Sequence, residues 1–142
     1  MTALEQRIDV HAPAAAVWEQ LHRVGEYPRF VEGLRRARAH GRHRASLDVG
    51  DGGGGCSLEA AIDDRGRGRL MRLRTVDGPP LRATLALLPR DPQHTTVHLR
   101  LEYDPAGLGA AFGGPRGEAQ ADAVEQAVRA DLRRFKALVE AD

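Results

Sequence analysis

A change of hydrophobic period constrains this chain more than any other feature. Across six runs between residues 34 and 103 apolar side chains alternate with polar ones, whereas from about Glu118 to Ala141 they recur at every third or fourth position. The alternating runs are Leu34 to His40, Ala45 to Val49, Ser57 to Asp64, Leu70 to Val76, Leu81 to Leu88 and Thr96 to Tyr103. Turn chemistry separates most of them: "GDGGGG" at 50–55, "RGRG" at 65–68, "DGPP" at 77–80 and "PRDPQ" at 89–93. In the last run Val97, Leu99, Leu101 and Tyr103 share one face, and His98, Arg100, Glu102 and Asp104 share the other. The terminal stretch carries Val124, Val128, Leu132, Phe135 and Val139 as one helical stripe. A hairpin-linked sheet with one apolar face and a long amphipathic helix must bury those surfaces together, and a strongly curved sheet gripping the helix does so economically.

The N-terminal third completes an α+β architecture. "EQRIDVHA" alternates, with Ile8 and Val10 opposite Arg7, Asp9 and His11, and predicts a first strand. Pro13 then suits a helix's first position, and Ala14, Val17, Leu21 and Val24 make an apolar face with Trp18 at its flank. "GEYPRF" breaks that helix, Tyr27 before Pro28 is biased towards extended geometry, and a brief second helix is expected through Phe30 and Val31. The total is about seven strands, two short helices after the first and one long helix, in a single domain over residues 1–142.

Bulk properties exclude several classes. The 142 residues hold one cysteine, Cys56, which rules out an intramolecular disulfide and a multi-cysteine metal site. Net charge is +1, so global electrostatics favour neither nucleic acid nor membrane. "MTALEQRIDVHAP" lacks the pattern of a leader, and no run reaches the roughly 18 apolar residues of a membrane span, so a cytoplasmic location is expected. The histidines do not suggest a metal site. His40 and His43 fall in a turn, while His94 and His98 on an extended strand are roughly 13 Å apart. "DGGGGC" lacks the Lys and Ser/Thr of a phosphate loop and reads as a hairpin turn. No metal and no cofactor are expected.

A few polar groups stand in phase with apolar neighbours. Asp131 falls among Val124, Val128, Phe135 and Leu138, where a carboxylate is costly unless paired, so it either pairs with Arg29 or works as an acid or base. Tyr103, Tyr27, Thr75 and Asp64 are in similar positions, and a tyrosine hydroxyl on a cavity wall could orient a carbonyl. Residues 35–44, "RRARAHGRHR", hold five arginines and two histidines, and "RGRGR" at 65–69 adds three more arginines. These make a solvated face or, gathered on one rim, a docking surface formed by Arg35, Arg36, Arg38, Arg42 and Arg44 for an acidic partner.

The order and spacing of "APAAAVWEQL", "YPRFVEGL", "TVDGPP", "TTVHLRLEYDPAGL" and "ADLRRFKALVE" resemble the START-like superfamily, also called SRPBCC, in its polyketide cyclase and lipid-transport branch. That resemblance spans nearly the whole chain. It implies a helix-grip fold with a cavity between the sheet and the C-terminal helix, used for lipids, quinones or polyketide intermediates. The implied cavity lining is Trp18, Leu21, Tyr27, Phe30, Leu47, Leu58, Leu73, Leu85, Leu99, Leu101, Phe112, Val124, Val128 and Phe135. Residues 104–117 are expected to gate entry, and Tyr103 and Asp131 to handle protons. Two departures stand out: Leu21, Leu47, Leu58 and Leu73 replace aromatic positions of relatives, and Leu58, Ala60, Ile62 and Asp64 leave no inward arginine of the cyclase type. With aromatic residues at 4%, ring stacking on a flat substrate has few partners. Three classes stay open: a polyketide cyclase or aromatase, a non-catalytic lipid or quinone carrier, and an interaction module whose basic rim docks an acyl carrier protein or RNA.

Overall fold

The computed structural model describes residues 2–51, 54–65, 67–104 and 118–141. Seven antiparallel strands form one sheet: β1 (Thr2–Val10), β2 (Leu34–Ala39), β3 (Arg44–Asp51), β4 (Gly54–Asp63), β5 (Leu70–Asp77), β6 (Leu81–Asp91) and β7 (His94–Tyr103). Their spatial order is β1-β7-β6-β5-β4-β3-β2, so all consecutive pairs from β2 to β7 are neighbours and the first strand closes onto the last. Helix α1 (Ala14–Leu21) and a 3-10 helix (Val24–Arg29) follow β1, and α2 (Glu118–Glu140) ends the chain. The helix-grip construction expected from the change of period is the one present.

Alternation sets the register. Ile8 faces Val97, Leu4 faces Leu101, Leu73 faces Ala83 and Leu47 faces Leu58, so each slip by one residue would turn the apolar face to water. On α2, Val128, Leu132, Phe135 and Val139 are buried, as the helical period requires. Helix α2 also holds β1 by polar contacts at its margin. Gln6 Nε2 donates to Glu125 Oε1 at 3.1 Å, Lys136 Nζ to the Asp9 carbonyl at 2.8 Å, and the His11 amide to Glu140 Oε2 at 2.8 Å. Two apolar clusters result. One gathers α1, the 3-10 helix, β2–β5 and the end of α2, and the other gathers Leu101, Tyr103, Val128 and Leu132.

Several boundaries differ from expectation for local reasons. Helix α1 stops at Leu21 rather than Val24, because the His22 and Arg23 amides bond to Glu19 and Gln20 three residues back and tighten the turn. The second short helix covers Val24–Arg29 and ends before Phe30 and Val31, whose amides close on the Tyr27 carbonyl. Pairing also continues through Gly50 opposite Gly55 and Asp51 opposite Gly54, so the glycine run extends a hairpin instead of interrupting it. Strand β6 passes Pro89, which stands opposite Thr95, and reaches Asp91 opposite His94 across a register shift between the two. Gly78 has a stricter requirement. Its φ is +114°, and a Cβ there would lie 2.5 Å from Leu58 Cδ2, so "DGPP" needs its glycine for both conformation and space.

Candidate functional site

An open cleft of about 720 Å³ lies at the end of the sheet where the β2–β3 and β4–β5 turns meet α1. That volume falls in the range of about 300–1,000 Å³ typical of small-molecule sites. Its floor is apolar: Trp18 from α1, Val24 from the 3-10 helix, Ala39 from β2, Ile62 from β4 and Met71 from β5. Its rim is polar, with Glu19 on α1, His22 directly after it, Arg42 and His43 in the β2–β3 turn, and Asp64 directly after β4. Gly41 at φ 75° and Gly68 at φ 77° shape the two turns, and Arg67, at φ 56°, is a non-glycine residue in the left-handed region, which costs about 1–2 kcal/mol.

Asp64 ties the rim together. Its Oδ2 lies 3.1 Å from His22 Nε2, and its Oδ1 lies 3.1 Å from His43 Nε2. One carboxylate therefore bridges α1 and the β2–β3 turn. The other ring nitrogen of His22 lies 2.9 Å from the Trp18 carbonyl, so filling both hydrogen bonds takes a doubly protonated imidazole. The His22 hydrogen bond, opposed by desolvation and helped by His43, holds the Asp64 carboxyl below its usual range. Trp18 also supports His22, with ring centroids 4.8 Å apart. The cluster can bind a polar head, or pass a proton between imidazole and carboxylate.

The residues assigned from sequence divide between this cleft and the core. Trp18 lines the cleft, and Arg42 from the basic run stands on its rim. Leu21, Phe30, Leu47, Leu58, Leu73, Leu101, Val128 and Phe135 are buried in the two apolar clusters. Leu85, Leu99 and Val124 are half-buried beside them, and with Leu81 and Ala83 they leave a strip of apolar surface only partly covered. Phe112 and nearly all of the expected 104–117 gate lie outside the described residues. The cleft opens at the opposite end of the sheet from Tyr103, where that segment begins. Arg35, Arg36, Arg38 and Arg44 are exposed on the two strands at the β2 edge of the sheet.

The proton-handling candidates occupy other places. Tyr27 donates its hydroxyl to the Leu21 carbonyl at 2.5 Å, and burial pushes its ionisation well above the ordinary phenol range. Tyr103 is 1% exposed between β7 and α2; burial, and then the Glu125 charge, push its hydroxyl up. Asp131 does not pair with Arg29, which instead bonds Glu26 at 2.7 Å. It takes Arg134 from the next helical turn and the Glu32 amide at 3.3 Å, pinning α2 to the segment that enters β2. The i,i+3 partner was nearer along the helix than the one expected across the fold.

Opposing effects meet at Asp131. Burial raises its pKa, the Glu32 amide and Arg134 lower it, and burial prevails, so the carboxyl titrates above its ordinary value. A carboxyl with a raised folded pKa holds its proton more firmly when folded, so its contribution falls as pH rises through that pKa. Asp131→Asn keeps an acceptor for the Glu32 amide and removes the charge. Urea unfolding at pH 3 and pH 7 should show Asp131→Asn gaining on wild type between the two pH values. A relative loss towards neutral pH would mean that the Arg134 pair prevails.

The sequence did not point to His22, His43 and Asp64 as a group. Asp64 was visible as a polar residue in phase with Ile62, but 42 residues separate it from His22, and only the fold brings them together. Among the described residues no group of three or more His, Cys, Asp or Glu is arranged to hold a metal ion, and no helix is long and apolar enough to cross a membrane.

A curved antiparallel sheet gripping a long C-terminal helix, with an apolar-floored cleft beside the first helix, is a START-like, helix-grip fold. Within it, the chain belongs to the polyketide cyclase / dehydrase and lipid transport family, whose model matches residues 1–140. Similar solved structures include a START superfamily protein from Mycobacterium smegmatis, with a TM-score of 0.78 at 15% identity over 98% of this chain and 97% of that one. The Zhui aromatase/cyclase from Streptomyces sp. R1128 superposes with a TM-score of 0.74 at 22% identity, covering 98% and 93%. The di-domain aromatase/cyclase BexL of the BE-7585A biosynthetic pathway gives 0.72 at 22% identity, over 99% of this chain and 47% of that one. No curated protein matches the sequence.

Proposed function

We propose that this protein binds an apolar or amphipathic small molecule, a lipid or a polyketide-type intermediate, in the cleft between α1 and the β2–β3 and β4–β5 turns. The observation that carries this reading is the pairing of an apolar floor, Trp18, Val24, Ile62 and Met71, with a polar rim of convergent side chains in a space of ligand size. Family membership supports it at the level of apolar ligand binding. The reading favours binding and carriage over conversion, because the inner face of β4 presents Leu58, Ala60 and Ile62, which cannot polarise a carbonyl. Cyclisation is the second reading. It rests on the Asp64–His43 pair, which could move a proton at the cleft mouth while the floor holds two carbons of a flexible chain together.

The direct test is native mass spectrometry before and after mild organic extraction, combined with titration of a neutral apolar dye such as Nile red. Ala39 is exposed on β2 and lines the cleft, so Ala39→Trp fills the space from a position that can accept bulk without disturbing the core. Dye affinity should fall at least about ten-fold, the scale on which a blocked apolar contact of a few methylenes is felt, while the melting temperature stays unchanged. Undiminished dye binding in a folded Ala39→Trp protein overturns the assignment of the cleft.

A further inference from the structure

The charges around the cleft mouth do not balance, and the imbalance has one sign. Glu19 is paired with Arg23 at 3.0 Å, Asp63 with Arg65 at 2.9 Å, and Asp64 with both His22 and His43 at 3.1 Å. Every carboxylate near the mouth that these contacts describe is already engaged. Arg42 stands on the rim, Arg67 and Arg69 flank the lining residue Gly68, and none of the three has a carboxylate partner among the described residues. Arg67 also sits in the left-handed backbone region, so the β4–β5 turn carries its cation at some conformational cost. His43 is engaged with Asp64 through Nε2, which leaves Arg42 as the donor on this part of the rim.

We infer that the molecule taken by the cleft is an amphiphile with an oxyanion head, its apolar chain on Trp18, Ile62 and Met71 and its head on Arg42. This rests on the cleft being the binding site and adds the class of its ligand. A guanidinium presents two parallel N–H donors that fit a carboxylate or a phosphate ester equally well, so the shared chemistry is the anionic head.

Three ligands of equal chain length read the inference directly: decanol, decanoate and decyl phosphate, each measured by displacement of Nile red at low and high salt. Both anions should bind wild type about five- to ten-fold more tightly than decanol, the scale of a charge-assisted hydrogen bond at a partly exposed site. Arg42→Gln should erase that preference and leave decanol unchanged, whereas Arg82→Gln on the outer sheet face should leave the preference intact. The tighter of the two anions identifies the head group. Equal binding of decanol and the anions to wild type, or a preference that survives Arg42→Gln, overturns the inference while the cleft assignment stands. If Nile red binds but Ala39→Trp does not weaken it, the cleft assignment itself has failed, and the inference with it.

Discussion

Phe135→Ala should lower the unfolding free energy by about 4 kcal/mol, the centre of the 3–5 kcal/mol range for removing a buried phenylalanine. Phe135 is 2% exposed, and its ring meets Phe30 edge-on at 5.1 Å. Phe30 in turn packs against Tyr27 at 5.5 Å, so three rings join α2 to the 3-10 helix and to the entrance of β2. Aromatic pairs of this geometry add about 0.5–1.5 kcal/mol beyond area burial. The loss should therefore exceed that of truncating Leu138, which is only half-buried on the same helix. A domain of this size has about 5–15 kcal/mol of stability in total, so the variant should melt roughly 10–15 °C lower and remain folded near room temperature. Urea unfolding followed by circular dichroism checks this: the midpoint should fall with little change in slope. A loss below about 2 kcal/mol would mean that α2 collapses onto the vacancy and is not a fixed wall of the grip.

The fold was legible because its signal is repeated. Val97, Leu99, Leu101 and Tyr103 alternate along one strand, and Val128, Leu132, Phe135 and Val139 recur along one helix, so no single residue has to be read correctly for the architecture to emerge. Boundaries were less legible because they depend on single hydrogen bonds. Arg23 and His22 end α1 by bonding three residues back, a choice that composition does not reveal. The candidate site was the least legible. Leu21, Leu47, Leu58 and Leu73 were expected to line a cavity, and all four are packed into the core. A residue's inward phase does not distinguish a cavity wall from a filled core, because that depends on the volume of its neighbours across the sheet. Nor does a histidine's spacing show which carboxylate it will meet. His22 and His43 reach Asp64 only because the end of β4, the β2–β3 turn and the last turn of α1 are brought together by the curvature of the sheet.

Met71→Ala joins stability to binding in one substitution. Met71 is 1% exposed, faces Leu85 in register on β6, and also forms part of the cleft floor. Truncating a buried methionine costs about 2–5 kcal/mol, and the lower half of that range is expected here because the vacated space opens into the cleft instead of forming a sealed void. Met71→Leu keeps the volume and should cost less than about 1.5 kcal/mol. The two variants separate packing from recognition. If Met71 supports a ligand chain, Met71→Ala deepens the floor, and the preferred chain length of a homologous series of alcohols should increase while Met71→Leu leaves it unchanged. Isothermal titration of the series against each folded protein supplies the comparison. A destabilised Met71→Ala with an unchanged chain-length preference would make Met71 core only, and would place any bound chain against Trp18 and Ile62 nearer the mouth.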